Sequence, residues 1–126
     1  MKELEQEIAG YLKERGWDTM TPADMAKSIS IEAAELLELF QWDNKSIAET
    51  RADEARMHKI RQELADVFIY CLDMAVLLGI DSEAVIREKL EHNKKKYPAK
   101  EMKQGDSKNH ERYLEIKQQY RDEKRS

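Results

Sequence analysis

The sequence predicts an all-α protein, and three observations lead to this prediction. The chain of 126 residues is 40% hydrophobic and 38% charged, a balance typical of helices with one apolar face and one wet face. Its four glycines and two prolines leave few interruptions. Apolar residues recur at helical spacing in several stretches. We therefore expect a four-helix bundle-like fold with a C-terminal accessory helix or tail.

The first two predicted helices have recognisable ends. Residues 2–15 carry an apolar stripe at helical spacing, and Gly16 is expected to end that helix. Thr21 resembles an N-cap, and Pro22 after it suits the first helical position. The second helix is therefore predicted over residues 22–42.

The remaining helices follow from the same periodicity. Residues 43–58 are polar and fit either a short helix or a mobile loop. Residues 59–79 form the most apolar segment, with apolar side chains around most of its circumference, so this helix should be central. A fourth helix is predicted over residues 82–97. Residues 98–109 read as a linker, and the thin apolar stripe of residues 110–125 allows one more helix.

Bulk properties limit the domain organisation and the partners. We expect one domain over residues 1–98, and a linker with a polar, helix-capable tail over residues 99–126. The net charge of -4 argues against a nucleic-acid polymer as partner. The single cysteine, Cys71, is expected to be a buried small hydrophobe. Neither a leader nor an apolar run near ~18 residues is present, so a cytoplasmic protein without membrane contact is predicted.

Two carboxylate pairs are the most informative feature. Glu32 and Glu35 lie on the second predicted helix, and Glu63 and Asp66 lie on the third. Each pair has the spacing i, i+3, which puts both acids on one helical face. Both segments are otherwise apolar, so the acids repel each other and lose hydration unless a cation is shared. The pairs predict a metal site between two helices, with Mg²⁺ favoured and Mn²⁺ as the alternative.

Further acids extend both faces. Glu38 follows Glu35 at i+3, and the third helix carries Glu63, Asp66, Tyr70 and Asp73 in one narrow stripe. Four carboxylates in one place favour more than one ion, or one ion beside an acid that activates water. The alternative interpretation of Glu38 is an ordinary surface residue. The alternative interpretation of Asp73 is a buried partner for a lysine.

The acids also allow other interpretations. Acid pairs on so charged a protein are often solvated helix faces. A di-iron bundle needs Glu-x-x-His motifs, but the residues three before His58, His92 and His110 are not acids. One cysteine and three scattered histidines offer no zinc cluster.

Basic and aromatic side chains supply groups that a nucleotide needs. Lysine and asparagine side chains on one face of the fourth helix can hold phosphate oxygens, although lysines near a helix C-terminus are also common for electrostatic reasons. Aromatic side chains can stack on a base, although ordinary packing is the simpler role. The phosphate candidates are Lys89, Asn93 and Lys96, and the stacking candidates are Trp17, Trp42 and Tyr70.

The motifs resemble those of a known family. The run EAAELLELFQW, followed by ELADVFIYCLDMA and then KLEHNKKKYP, is similar to the MazG-like all-α nucleoside triphosphate pyrophosphohydrolases, and within them to the dCTP pyrophosphatase branch. The similarity covers about residues 15–98. Ile31 stands where many family members have a first of two adjacent glutamates.

The resemblance implies an activity and roles for residues. It implies hydrolysis of a nucleoside triphosphate to the monophosphate and pyrophosphate, in a homodimer or homotetramer. It makes the four paired acids the Mg²⁺ ligands and implies nucleoside contacts for the three aromatic residues and phosphate contacts for residues 89–96. Glu35 or Glu38 would accept the proton of the attacking water. A dCTP-like substrate and nucleotide-pool house-cleaning are expected by analogy, with a non-catalytic nucleotide sensor or a helical interaction protein as alternatives.

Overall fold

The computed structural model describes residues 1–102 and 107–125. All secondary structure in these residues is helical, which confirms the predicted all-α class. The helices are α1 (Lys2–Glu14), α2 (Pro22–Glu38), α3 (Ile47–Ala52), α4 (Glu54–Leu77), α5 (Ser82–Lys96), α6 (Ala99–Met102) and α7 (Ser107–Arg125). No helix in the described residues has both the length and the hydropathy that crossing a bilayer requires.

The chain divides into two compact units, Met1–Ser82 and Glu83–Ser126. In the first unit, α4 packs against α1, α2 and α3, so the helix predicted to be central is central there. In the second unit, α6 packs against α7. The boundary that the sequence suggests at residue 98 stays a prediction.

Helix α1 ends as its sequence predicts, and its end places Trp17. The N–H of Gly16 donates to the Lys13 carbonyl (3.1 Å), and the N–H of Trp17 donates to the Leu12 carbonyl (2.9 Å). These two hydrogen bonds need a residue in the left-handed backbone conformation, and Gly16 has φ 68°. Since Leu12 is fully buried, the turn that follows it is held against the core of the first unit.

Helix α2 begins as predicted but ends earlier. The Thr21 hydroxyl accepts a hydrogen bond from the Asp24 N–H (3.2 Å), and Pro22 occupies the first helical position. The sequence pattern runs to residue 42, whereas the helix ends at Glu38. The reason is tertiary, because the guanidinium of Arg56 on α4 donates to the Leu39 carbonyl.

The polar stretch between α2 and α4 is more ordered than its composition suggests. Ser46 and Glu49 form a reciprocal capping box that starts the short helix α3. Asp53 then caps α4 by accepting from the Arg56 N–H (3.1 Å), so α4 begins at Glu54 and not near residue 59. Of the two alternatives for residues 43–58, the structure has the short helix.

The exposure of Cys71 differs from the sequence prediction. It was expected to be buried, but its side chain is exposed. The physical reason is the position of its neighbours: α1, α2 and α3 cover other sides of α4, and Phe68, one turn before Cys71, is itself 58% exposed.

In the second unit, aromatic rings pack against one another. Tyr97 stacks on Tyr113 with ring centroids 5.1 Å apart, and His92 meets Tyr120 edge to face at 5.6 Å. The predicted linker contains the short helix α6, and its residues 103–106 lie outside the described residues. The predicted accessory helix is present as α7.

Candidate metal centre and nucleotide pocket

Three carboxylates from two packed helices form a compact cluster. Glu32 on α2 and Glu63 and Asp66 on α4 each offer one oxygen atom, and these atoms all lie within 4.8 Å of one another. We call these three residues the carboxylate cluster. The i, i+3 spacing of Glu63 and Asp66 places both on the face of α4 that meets α2. Two of the predicted ligand positions on α4 and one on α2 are therefore brought together.

Two oxygens of the cluster are buried and unsatisfied. Glu32 Oε2 and Glu63 Oε2 have no hydrogen-bond partner among the residues that the structure describes. A carboxylate oxygen that loses water without gaining a donor or a cation costs free energy. A positively charged partner at these oxygens would therefore lower the free energy of the cluster.

Glu35, the fourth predicted ligand, lies beside the cluster. The largest cause of the raised pKa of Glu32 is the hydrogen bond that its protonated form would share with the Glu35 carboxyl, followed by burial. Burial is the largest cause of the raised pKa of Glu63, and the charge of Glu35 comes next. Glu38 is exposed, and its charge also raises the pKa of Glu63. These acids therefore lie close enough together for the charges of some to raise the pKa values of Glu32 and Glu63.

The donor set fits a hard divalent cation. It consists of carboxylate oxygens only, which suit Mg²⁺ or Mn²⁺ and do not suit a metal that prefers thiolate or imidazole. A cation between Glu32 and Glu63 would satisfy the two orphaned oxygens and offset the repulsion from neighbouring acids, which adds to the other causes of both raised pKa values. On these observations the residues fit a divalent metal ion.

A cavity opens next to the cluster. Its volume is about 230 Å³, and Asp66 contributes to both the cavity and the carboxylate cluster. We call it the aromatic cavity, because three of its lining residues have aromatic rings. Its lining consists of Tyr11, Trp17, Met20, Asp66, Ile69, Tyr70 and Asp73.

Two of the three predicted stacking residues lie in this cavity. Trp17 packs edge to face against Tyr11, with ring centroids 5.8 Å apart, so its indole is braced from the side. Tyr70 is half-buried, and burial, followed by the charges of Glu32 and Asp73, raises the pKa of its phenol. Tyr70 therefore keeps its proton and can donate a hydrogen bond at neutral pH.

Trp42, the third stacking candidate, is not among the residues that line the cavity. Its side chain is 88% exposed in the turn that follows α2. The turn is fixed, because Arg56 forms an ion pair with Asp43 (2.8 Å) and its guanidinium lies 5.0 Å from the Phe40 ring centroid. Any contact between Trp42 and a nucleoside stays a prediction.

The predicted phosphate-binding residues all lie on α5, in the second unit. Lys89 is exposed, while Asn93 and Lys96 are half-buried. The ammonium group of Lys96 lies 4.6 Å from the ring centroid of Tyr120 and 5.1 Å from that of Tyr97. A role on phosphate stays a prediction for each of the three.

Sequence reasoning missed part of the cavity. Tyr11 is not among the predicted site residues, and Asp73 is predicted only as an extension of the acid stripe or as a partner for a lysine. Asp73 is buried at 3% exposure and has no ion pair among the described residues; its Oδ1 has no hydrogen-bond partner there either. Its place on the Glu63–Asp66–Tyr70 stripe was the signal that could have linked it to the cavity.

Comparison with known proteins decides the family. A family model described as the MazG-like family matches residues 27–111, which is most of the chain and includes every acid of the carboxylate cluster. The chain belongs to the MazG-like family. The resemblance found in its sequence motifs is thereby confirmed.

Two curated proteins with the same name are similar to this MazG-like chain. It is 27% identical over 101 residues to dCTP pyrophosphatase 1 of Homo sapiens, and 26% identical over 100 residues to that of Rattus norvegicus. These matches cover 79% and 78% of the chain, but the chain spans only 59% of the length of either relative.

A solved structure supports the same fold. The crystal structure of a pyrophosphatase from Archaeoglobus fulgidus matches with a TM-score of 0.68 and 40% sequence identity. The match covers 78% of this chain and 92% of the archaeal one. The MazG-like fold of this protein is thus supported at the level of sequence and of structure.

Proposed function

We propose that the protein hydrolyses a nucleoside triphosphate to the monophosphate and pyrophosphate in a reaction that depends on Mg²⁺, with Mn²⁺ as the alternative ion. The observation that carries the proposal is the carboxylate cluster with its orphaned oxygens, joined through Asp66 to a cavity with aromatic walls. The carboxylate cluster suits a metal-bound phosphate group, and the aromatic cavity suits a nucleobase. A triphosphate nucleotide has both.

The metal-binding role falls on four acids. Glu32, Glu63 and Asp66 would hold the ion, and Glu35 would complete the set from α2. The ion supplies neutralisation of phosphate charge and acidification of water. The protein holds these acids on two helices packed against each other, so their geometry is set before substrate arrives.

Proton transfer is assigned to a glutamate at the edge of the cluster. Glu35 and Glu38 both remain candidates for the base that accepts the proton of the attacking water. Glu35 is half-buried beside Glu32, whereas Glu38 is exposed, where its side chain can reach a water at the edge of the cluster. Variants at both positions separate the two roles.

Substrate orientation is assigned to two sets of side chains. Trp17 and Tyr70 would hold the base, since both line the aromatic cavity. We assign phosphate contacts to cations and an amide of α5 on the basis of their shared helical face, and a nucleoside contact to the exposed indole after α2. These residues are Lys89, Asn93, Lys96 and Trp42.

The preferred substrate is proposed to be dCTP or a close analogue. The support is the similarity to relatives named dCTP pyrophosphatase 1 and the small volume of the aromatic cavity, about 230 Å³. A role in cleaning the cytoplasmic nucleotide pool follows from such an activity.

A second copy of the chain is the proposed partner, as a homodimer or a homotetramer. The support is an apolar groove of about 530 Å³ between α1 and α4, with Leu4, Phe68 and Ile69 exposed along it. Contiguous apolar surface of this kind is unusual on a protein that works alone. Helices of a second copy would cover it.

The alternative is a nucleotide sensor that binds the same ligand without cleaving it, and one screen decides between them. Pyrophosphate release is measured across standard and modified nucleoside triphosphates, with and without Mg²⁺, and nucleotide binding is measured by calorimetry in parallel. We expect metal-dependent release with a deoxycytidine substrate. Binding without release from any nucleotide would favour the sensor, and neither binding nor release would leave a helical interaction protein.

A further inference from the structure

Among the described residues of the first unit, Asp73 is the charged residue whose side chain is buried. It is 3% exposed, its Oδ1 atom has no hydrogen-bond partner among the described residues, and it lines the aromatic cavity. It is not one of the three residues of the carboxylate cluster. Its role is therefore not explained by metal binding.

Burial of this carboxylate has an energetic cost that packing alone does not offset. Burial raises the pKa of Asp73, which means that the folded protein disfavours its charged form. No lysine or arginine among the described residues pairs with it, so the lysine partner suggested by the sequence is not there. A buried acceptor without a donor is expected where a ligand brings the donor.

The cavity around Asp73 suits a planar ring. Tyr11, Trp17 and Tyr70 supply aromatic surface, and a volume of about 230 Å³ is several times the ~30 Å³ that one water occupies in the liquid. Asp66 joins this cavity to the carboxylate cluster, so a ring in the cavity would have its phosphates toward the metal ligands.

We propose that Asp73 selects the base: its carboxylate accepts a hydrogen bond from an exocyclic amino group, so that amino-bearing bases are preferred over their oxo counterparts. This inference rests on the proposed nucleotide site. An oxo base would place a carbonyl oxygen against the carboxylate, so two buried acceptors would face each other unless Asp73 took up a proton, which has a free-energy cost above its folded-state pKa. Sites that hydrogen-bond a polar group reject analogues lacking it strongly, because the partner is left unpaired.

Matched nucleotide pairs test this directly. The pairs dCTP with dUTP and dATP with dITP each differ in whether an amino or an oxo group occupies the same ring position. For the wild type, we expect kcat/KM to favour the amino member of each pair that is turned over by at least about tenfold, which corresponds to one hydrogen bond of about 1.4 kcal/mol.

The Asp73→Asn variant keeps the shape of the side chain and adds an N–H₂ donor. It is expected to lower the amino-to-oxo ratio by at least about tenfold, because the amide can donate to a carbonyl oxygen. Asp24→Asn, a change at an exposed aspartate of α2, is the matched control and should keep the wild-type ratio. Circular dichroism and melting temperature establish that both variants fold.

A binding measurement separates this inference from the proposed function. Calorimetric titration with dCMP and dUMP, without metal, reports the base preference when no reaction occurs. If the wild type releases no pyrophosphate but prefers dCMP in a way that Asp73→Asn removes, the proposed function fails and the base-selecting role stands. Wild-type preference in Asp73→Asn by both measurements overturns the role of Asp73. Loss of Mg²⁺ binding in that variant overturns it too, since Asp73 would then be a metal ligand.

Discussion

A carboxylate oxygen of Glu32 on α2 lies within 4.8 Å of a carboxylate oxygen of Glu63 on α4, and each residue keeps one buried oxygen without a partner among the described residues. Two like charges at this separation destabilise the pairing of the helices that carry them. Because α2 and α4 pack along this face, a proton or a cation that relieves the repulsion should stabilise the arrangement. The functional assignment of the protein depends on this pair.

Replacing Glu63 by Gln is expected to remove turnover and leave the fold intact. The amide has the same shape but no charge, so kcat/KM for pyrophosphate release should fall by more than ~100-fold, since even changes beyond the metal ligands cost about 10–100-fold. Glu54→Gln, at an exposed acid on the same helix, is the control and should retain activity. An active Glu63→Gln variant with normal helical circular dichroism would refute the role given to Glu63.

Divalent metal should stabilise the folded protein through the carboxylate cluster. At a Mg²⁺ concentration of 100 times Kd, ligand linkage predicts about 2.7 kcal/mol of added stability, seen as a rise of several degrees in Tm. Glu32→Gln should raise the Tm without metal, because it removes repulsion, and should reduce the shift caused by Mg²⁺. Equal Mg²⁺ shifts in the wild type and this variant would mean that the ion binds elsewhere.

The Asp73→Asn variant is expected to be more stable than the wild type at neutral pH. Burial raises the folded-state pKa of Asp73 above its ordinary value of 3.8, so stability is lost as the pH rises through the folded pKa. The gain from removing the charge should therefore be small near pH 3.5 and reach on the order of 1–3 kcal/mol at pH 8. Thermal melts of both proteins across this range measure it, and a difference that does not change with pH would contradict the prediction.

The ion pair between Arg56 and Asp43 has the opposite pH dependence. The hydrogen bond from Arg56 lowers the pKa of Asp43 below its ordinary value of 3.8, so its contribution is present above that pH and is lost as the pH falls through the folded pKa. Asp43→Asn should lower the Tm at pH 7, and the difference should shrink in acid. Glu83→Gln removes the exposed pair with Arg87 and should have little effect on the Tm.

A charge placed in the apolar groove should disrupt self-association. Phe68 is 58% exposed on α4 and lines the groove against α1, so Phe68→Glu should reduce the solution mass measured by light scattering toward that of one chain, 14.8 kDa. Lys59→Glu, at an exposed position near the other end of α4, is the control. A wild type that is already monomeric, or a Phe68→Glu variant that keeps the larger mass, would rule out this groove as the contact surface.

Much of the fold could be predicted from local signals. Gly16 and Gly79 both have φ 68° and end helices where the sequence indicates, because only glycine adopts this conformation without strain. Thr21 caps α2 through its own side chain, as the Thr-Pro pair predicts. The end of α2 could not be predicted in this way, since Leu39 is held by Arg56 from another helix.

In the candidate site, too, some features follow from local sequence and others follow from contacts between helices. The i, i+3 spacing of Glu63 and Asp66 is fixed by the helix, so the amino-acid sequence was enough to predict that these acids share a face, and it raised a metal ion as a candidate partner. The packing of the helices shows that Glu32 meets them across α2 and α4, and that Asp73 is buried beside aromatic rings without a cationic partner among the described residues. The reason is physical: helical periodicity sets the direction of a side chain, whereas its burial and its partners are set by packing of residues that are distant in the chain.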